Sequence, residues 1–317
     1  MTRISTYAHS QTLLSHMLRN QQDMTVANEK VSTGKKAGDF KGYAQDASAL
    51  LSARNLGGRI QSYLDSNREL ETLLAMQDNA LHEISSIADD VRNDLITAVN
   101  LSSGVGLADK LEGHLDRLIN ALNTKFNGRF LFSGTRGDTS PINVANTTDL
   151  LALGSTAAAF DNNAIKMSQR IDDTQTMEYG ILAQDVAEDL LNVLRRTLQF
   201  ENGTLPTGAG AYTPAGAYQD PMPANQRDFL VSEFSNAITA QNTARQYVTS
   251  NGVNMSVLDK GLDRQAEDLT FVKQFIGKIE NADIAEAVSE LKSSEAALTA
   301  SMQVIARVGS VSLLDFL

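Results

Sequence analysis

All five prolines of this 317-residue chain fall between Pro141 and Pro223. Proline breaks a helix interior by removing a backbone donor and clashing with the preceding turn, so its absence elsewhere leaves two long stretches free to run as continuous helix. Both stretches carry seven-residue repeats. In the first, Ile60, Asn67, Leu74, Leu81, Ala88 and Leu95 form one register, and Tyr63, Leu70, Gln77, Ile84, Val91 and Ala98 form its partner. In the last, Met255, Leu262, Leu269 and Ile276 interleave with Leu258, Gln265, Val272 and Ile279, and the pattern restarts as Ile284, Leu291, Leu298 and Ile305. Such registers place one apolar stripe along a helix. A helix of about 40 residues is roughly 60 Å long, too long to bury its stripe on a small globule, so it needs other helices along its length. Asp283 with Glu286 has the spacing of a capping box at the restart.

The expected fold is therefore mainly α, with long helical arms, a coiled-coil-like helical rod built from both ends of the chain, and a small β-rich insert in the middle. Its parts are an N-terminal arm over 1–45, the rod's first half over 46–127, the insert over 128–180, the rod's second half over 181–280 and a C-terminal arm over 281–317. Within this scheme the periodicity predicts a first helix over Ser10 to Val31 and a joint at Ser32 to Gly38. A turn follows at Ser102 to Gly106, and an antiparallel helix is defined by Leu107, Leu111, Leu115, Leu118, Leu122 and Phe126. Asn127-Gly128 suits the left-handed backbone of a helix end or hairpin, and Phe130 to Phe132 reads as a strand. From Ser133 to Gly180 the helical period disappears, and Ile142 to Val144 and Ala164 to Ile171 read as short strand segments. Helix resumes at Val186, and Gly203 to Pro223, with four prolines and four glycines, reads as an exposed loop. A further helix over Ala224 to Ser250 precedes the closing arm.

Composition narrows the function. Asp and Glu number 38 against 27 Lys and Arg, a net charge of −11, which argues against a dedicated nucleic-acid or anionic-lipid surface. The chain has no cysteine, which excludes disulfides and thiolate metal sites. Behind Arg3, Leu13 and Leu14 are followed by His16, Arg19, Asn20 and Gln21, so neither a secretory signal nor a membrane span is expected.

Chemical sites are sparse. His9, His16, His82 and His114 have no catalytic neighbour at useful spacing and read as solvated helix histidines. Asp89 and Asp90 would point about 100° apart on a helix and read as solvated face, and Asp172-Asp173 forms no convergent pattern. Gly104-Val105-Gly106 lacks the third glycine and the preceding strand of a dinucleotide fingerprint. Asn100, Asn146, Asn202 and Asn254 open Asn-x-Ser/Thr triplets to which no role is assigned. Arg54, Arg59, Arg68 and Arg92 could bridge to a neighbouring subunit or make ordinary surface pairs. No catalytic, cofactor or metal site is expected, and the expected function is association.

Three separated motifs resemble the bacterial flagellin superfamily: the beginning Met1-Thr2-Arg3-Ile4-Ser5-Thr6, the joint Val31-Ser32-Thr33-Gly34-Lys35-Lys36, and the ending Ser310-Val311-Ser312-Leu313-Leu314-Asp315-Phe316-Leu317. Asn127 to Thr135 and the Leu-Leu-Asp-Phe-Leu tail are more similar to the hook-associated branch than to filament flagellin, and Asn281 to Ala287 is a further flagellin-like stretch. The resemblance implies a structural protein of the bacterial flagellum forming the layer that joins hook to filament. Its partners would be itself, in a ring or tube of about eleven subunits, the adjoining hook-associated junction protein, flagellin and an export chaperone. It implies an extracellular location reached through the flagellar type III channel without a cleaved signal. Carried over by position, the assembly interface would comprise Ile4, Leu14, Met17, Met24, Leu291, Leu298, Met302, Ile305, Leu313, Leu314 and Phe316. Leu74, Leu81, Ile84, Val91, Leu95, Leu262, Leu269 and Ile276 would pack the rod. Many relatives place Asp-Pro after the joint, whereas Asp39-Phe40-Lys41-Gly42-Tyr43 has no proline. The alternatives are a filament flagellin and a cytoplasmic coiled-coil adaptor; an enzyme in the insert is disfavoured by its lack of histidine and cysteine.

Overall fold

The computed structural model describes residues 2–43, 45–205 and 215–314, with side chains for residues 8, 11–43, 45–205 and 215–307. The chain is mainly helical and divides into two compact units, one made of Met1–Ser62 with Ala266–Leu317 and the other of Tyr63–Gln265. The boundaries at 62 and 265 lie inside α2 (Ala47–Leu101) and α6 (Ala224–Glu280), whereas the sequence suggests breaks near 45 and 281.

In the first unit α1 (Thr2–Thr33) packs along α7 (Ile284–Leu314). α1 ends where Gly34 adopts φ +68°, and its N–H donates to Lys30 O at 2.9 Å, a left-handed helix end that glycine takes without strain. A 3-10 turn follows over Phe40–Tyr43. Tyr43 is buried, and its hydroxyl donates to Ala37 O at 2.7 Å, so a buried phenol closes the joint that lacks proline. α7 is preceded by Asp283, whose Oδ1 accepts from the backbone N–H groups of Ala285 (2.8 Å) and Glu286 (3.2 Å). That is the backbone half of the expected cap, satisfying donors that a helix start leaves orphaned.

In the second unit α2, α3 (Leu107–Leu122), α5 (Ala183–Glu201) and α6 surround one apolar core. Polar contacts fix the order of the helices. Arg117 on α3 reaches Glu83 and Asp90 on α2, Arg245 on α6 reaches Asp89 on α2, and Arg196 on α5 reaches the buried Glu233 on α6 at 2.7 Å. The turn before α3 uses left-handed Ser102 and Gly106, as the Ser-Ser-Gly-Val-Gly sequence requires.

The middle of the chain departs from the sequence expectation in degree. Its β-structure among the described residues is two small antiparallel hairpins, β1 (Lys125–Phe126) with β2 (Arg129–Phe130) and β3 (Ser168–Arg170) with β4 (Thr176–Glu178), plus one bridge between Ile142 and Phe160. Asn127 (φ +48°) and Gly128 (φ +78°) form the first turn, two successive left-handed residues suited to a two-residue hairpin loop. The expected strand over Phe130 to Phe132 stops at Phe130, because Leu131 and Phe132 turn inward to full burial and Phe132 O accepts from Ala183 N at 2.9 Å. Ile142, Val144, Leu150, Ala159 and Ile181 enter the same core as the helices, with a short helix α4 (Thr147–Ala152) capped by Asn146.

Two further expectations are corrected. α6 runs from Ala224 to Glu280 without a stop near Ser250, since buried Asn251 holds to α2 by donating to Leu74 O (3.1 Å) and Asp78 Oδ1 (3.0 Å). The expected exposed loop before α6 is not exposed throughout. Tyr218 is buried, donates to Thr197 O at 3.0 Å, and stacks on Phe200, which stacks on Phe229. Burial pushes the Tyr218 phenol well above its ordinary value. Gly104 N donates to Gln219 O and Met222 N to Ser102 O, tying residues 218–222 to the α2–α3 turn.

Candidate functional site

The surface best suited to association is the α1–α7 pair. Ala27 and Ala287 are each 2% exposed, and small residues allow close helix approach. Asn20 donates to Ser301 Oγ at 2.8 Å and to Ala297 O, and Lys30 pairs with Glu290 at 2.7 Å. Met17 and Met24, seven residues apart, are half-buried on this seam, as are Leu291, Leu298 and Ile305. Their spacing keeps each set on one helical face.

Other members of the expected interface remain open. Leu14 and Met302 are each 49% exposed. Leu18 and Val26 are similarly exposed and were absent from the sequence-derived set. The one-residue offset of Leu18 from Met17 puts it on the flank of α1 turned from α7, whereas Val26 borders the groove beside Glu286, Ser289 and Glu290 of α7. That offset was the available signal. The backbones of Ile4, Leu313 and Leu314 are helical, but their side chains, and Phe316 entirely, lie outside the described residues.

Where α1 and α6 end, Lys36 N donates to Glu280 O (2.7 Å), Ala282 N donates to Gly34 O (2.8 Å), and Lys36 Nζ donates to Lys278 O (3.1 Å). Glu280, whose side chain is 7% exposed, accepts from Arg54 Nε at 2.7 Å and pairs with Lys35 at 3.2 Å. Burial pushes the Glu280 carboxyl up, but its hydrogen bonds and attraction to Arg54 and Lys35 outweigh that and hold it below its ordinary value. Arg54 also lies over the Phe40 ring. It is thus committed inside the chain rather than left to bridge elsewhere.

The residues expected to pack the rod sit as follows. Leu74, Leu81, Ile84, Val91 and Leu95 are completely buried, Leu269 is nearly so, and Leu262 and Ile276 are half-buried. Two polar residues of the repeat, Asn67 and Gln77, are also 0% exposed. Asn67 Nδ2 donates to Ile171 O and Gln265 Oε1, and Gln265 Nε2 donates to the same Ile171 carbonyl. One node thereby ties α2, α6 and the β3–β4 hairpin.

The acidic and histidine residues prove structural. Asp89 and Asp90 do diverge, but each is half-buried and receives different arginines rather than water alone. Asp172 Oδ1 accepts from Thr174 N at the β3–β4 turn, and Asp173 accepts from Tyr63 Oη. His114 is not solvated: its side chain is 11% exposed, with Nε2 at 2.9 Å from Asp94, which also pairs with Lys110 at 2.7 Å. Burial pushes the Asp94 carboxyl up, but Lys110 and His114 together hold it below its ordinary value. His16 and His82 are exposed, and the His9 side chain lies outside the described residues. Among the described residues no three His, Cys, Asp or Glu side chains cluster to hold a metal, and no helix is long and apolar enough to cross a membrane.

The chain is thus mainly helical, with paired terminal helices, long central helices and a small hairpin-bearing middle. Residues 4–137, from α1 through the first hairpin, match the family of the bacterial flagellin N-terminal helical region, and that part of the chain is flagellin-like. Its fold is similar to a structure assigned as a flagellar hook-associated protein from Vibrio parahaemolyticus (TM-score 0.54, 17% identity, 74% of this chain and 97% of that one). It is also similar to FlgL from Bacillus cereus (TM-score 0.50, 13% identity, 72% of this chain and 99% of that one). No curated protein matches the chain.

Proposed function

We propose that this chain is a structural subunit of the bacterial flagellum that forms the layer joining hook to filament, and that it self-associates through its terminal helices. The observation that carries the reading is the α1–α7 pair, which buries one seam while Leu14, Leu18, Val26, Met302 and Val304 stay 45% to 54% exposed on its flanks. A row of large apolar side chains outside a satisfied seam marks a surface awaiting a partner. Burying one Leu or Met side chain contributes about 1.5 to 3 kcal/mol, while ordering each residue costs about 1 to 2 kcal/mol. One helix pair alone gains little, and contact with adjacent copies raises the area buried per ordered residue. Assembly on that basis is cooperative and templated by the preceding layer, placing the chain outside the cell among about eleven copies of itself, the adjoining hook-associated protein and flagellin, after export with a chaperone.

Deleting the gene tests the reading. The expected outcome is cells with intact hooks, no attached filaments and flagellin shed into the medium; filaments still attached to hooks would overturn it. A filament flagellin is the second reading, favoured by the match of residues 4–137 to the flagellin N-terminal region. Antibody labelling seen by electron microscopy along whole filaments, rather than at one junction, would select it.

A further inference from the structure

We infer that the Asn127-Gly128 turn is a modification site at which Asn127 loses its side-chain amide spontaneously, with Gly128 N as the nucleophile and water as the co-reactant. The reaction needs an uncommitted backbone nitrogen directly after an accessible asparagine, and the chain has three Asn-Gly pairs. The fold separates them. Asn251 is completely buried, its Nδ2 donates to Leu74 O and Asp78 Oδ1, and Gly252 lies inside α6, where helix geometry commits its N–H. Asn202 holds its amide against Leu198 O at 3.0 Å, and Gly203 N donates to Phe200 O at 3.1 Å. At the tip between β1 and β2, Asn127 and Gly128 are both exposed, and Gly128 N donates to no backbone carbonyl among the described residues, as expected in the middle of a two-residue loop. Asn127 Nδ2 makes a long contact, 3.3 Å from Glu69 Oε1, and nothing stands within 4 Å of where a Gly128 Cβ would be.

The pairs Lys125–Phe130 and Phe126–Arg129 form the ladder behind the tip, and so short a hairpin tolerates the rotation that brings Gly128 N against Asn127 Cγ. Gly128 N gives up its proton to solvent and bonds to Cγ. The Cγ–Nδ2 bond then breaks, Nδ2 takes up a proton and leaves as ammonia, and a succinimide ring remains. Water adds to either ring carbonyl, giving aspartate or its isomer linked through the side-chain carboxyl. Both products put a carboxylate where Asn127 donated to Glu69, so attraction between α2 and the tip becomes repulsion. The isomer also lengthens the two-residue loop by one backbone atom, which mismatches the register behind it. Asn127 and Glu69 border a crevice of about 590 Å³ whose walls include Phe126, Phe130, Met167 and Tyr179. Conversion therefore loosens the hairpin side of that crevice and marks the age of the folded chain.

The test is incubation of the full chain at mildly alkaline pH, followed by peptide mapping with mass spectrometry. Conversion at Asn127 is expected to be at least about tenfold faster than at Asn202 or Asn251, the rate equivalent of one hydrogen bond absent from the barrier. Isoaspartate is expected beside aspartate, since the ring opens both ways. Equal rates at the three pairs, or an unconverted Asn127, overturn the site. Aspartate without isoaspartate points to direct hydrolysis and overturns attack by Gly128 N. Asn127→Gly removes the amide and suits the left-handed backbone of the loop, so its tip peptide is expected to stay unchanged over the same incubation. Leu131 N donates to Thr124 O at 3.0 Å at the base of the hairpin. Its hydrogen exchange is expected to quicken in converted parent protein and to hold steady in incubated Asn127→Gly protein. Converted protein whose Leu131 amide exchanges like fresh protein overturns the loosening.

Discussion

Asn67 Nδ2 lies 2.9 Å from the carbonyl oxygen of Ile171, joining the middle of α2 to the β3–β4 hairpin from inside the core. Asn67 is completely buried and also donates to Gln265 on α6, so removing it strands an amide oxygen where water cannot replace the bond. Asn67→Ala is expected to lower stability by about 1 to 3 kcal/mol, measured as a reduced urea midpoint. The hairpin amides should also exchange faster.

Gln77 presents the opposite case. It is completely buried in the partner register of the repeat, yet neither its amide oxygen nor its nitrogen is hydrogen-bonded within the chain. Gln77→Leu has similar bulk and removes an unsatisfied group, so a gain of about 1 to 2 kcal/mol is expected. Thermal melting checks it, and a fall in melting temperature would show that the amide has a partner in solution.

Glu280 makes the joint acid-sensitive. Its folded pKa lies below its ordinary value of 4.5, so the unfolded joint binds the proton more readily. The stabilisation is complete above that ordinary value and is lost as pH falls from about 4.5 through the folded pKa. Hydrogen exchange at Lys36 and Ala282, whose N–H groups bridge the joint, is expected to rise in that window once corrected for intrinsic rates. Glu280→Gln should flatten the change and weaken the joint at neutral pH.

At Gly104 a Cβ would stand 2.4 Å from Tyr218 Cβ. Gly104→Ala must therefore displace the segment whose backbone binds the α2–α3 turn. A loss of about 1 to 3 kcal/mol is expected, with a change in near-ultraviolet tyrosine signal as Tyr218 leaves its stack.

The terminal helices offer a kinetic check. α1 is thin in apolar contacts beyond its seam with α7, and isolated helices are marginal in water. In the free chain, amides of residues 11–30 and 290–307 are expected to exchange much faster than those of the core around Leu81 and Leu194, and to slow on assembly. Strong protection in the monomer would show that the terminal helices are stable without assembly.

Helices were the most legible part of this chain because their evidence is periodic and local. The stripe from Leu74 to Leu95, the left-handed Asn127-Gly128 pair and the Asp283 cap could all be read from spacing or residue type. The middle was less legible because its side chains are buried by partners distant in sequence. Nothing local says that Phe132 turns inward beside Ala183, or that Tyr218 enters an aromatic stack from a segment rich in proline and glycine. His114 was misread for the same reason, its carboxylate lying twenty residues away on another helix. At the candidate interface, seam residues such as Met17 and Met24 follow from the period, while the exposed edges at Leu18 and Val26 require knowing which side α7 occupies.

Because Leu131, Phe132, Ile142, Val144 and Leu150 share a core with four helices, the middle of this protein cannot be exchanged as a free-standing cassette. Swapping in a longer or shorter segment there would leave holes or collisions against α3 and α5, so any lineage that remodels the middle must rewrite the facing helices in step.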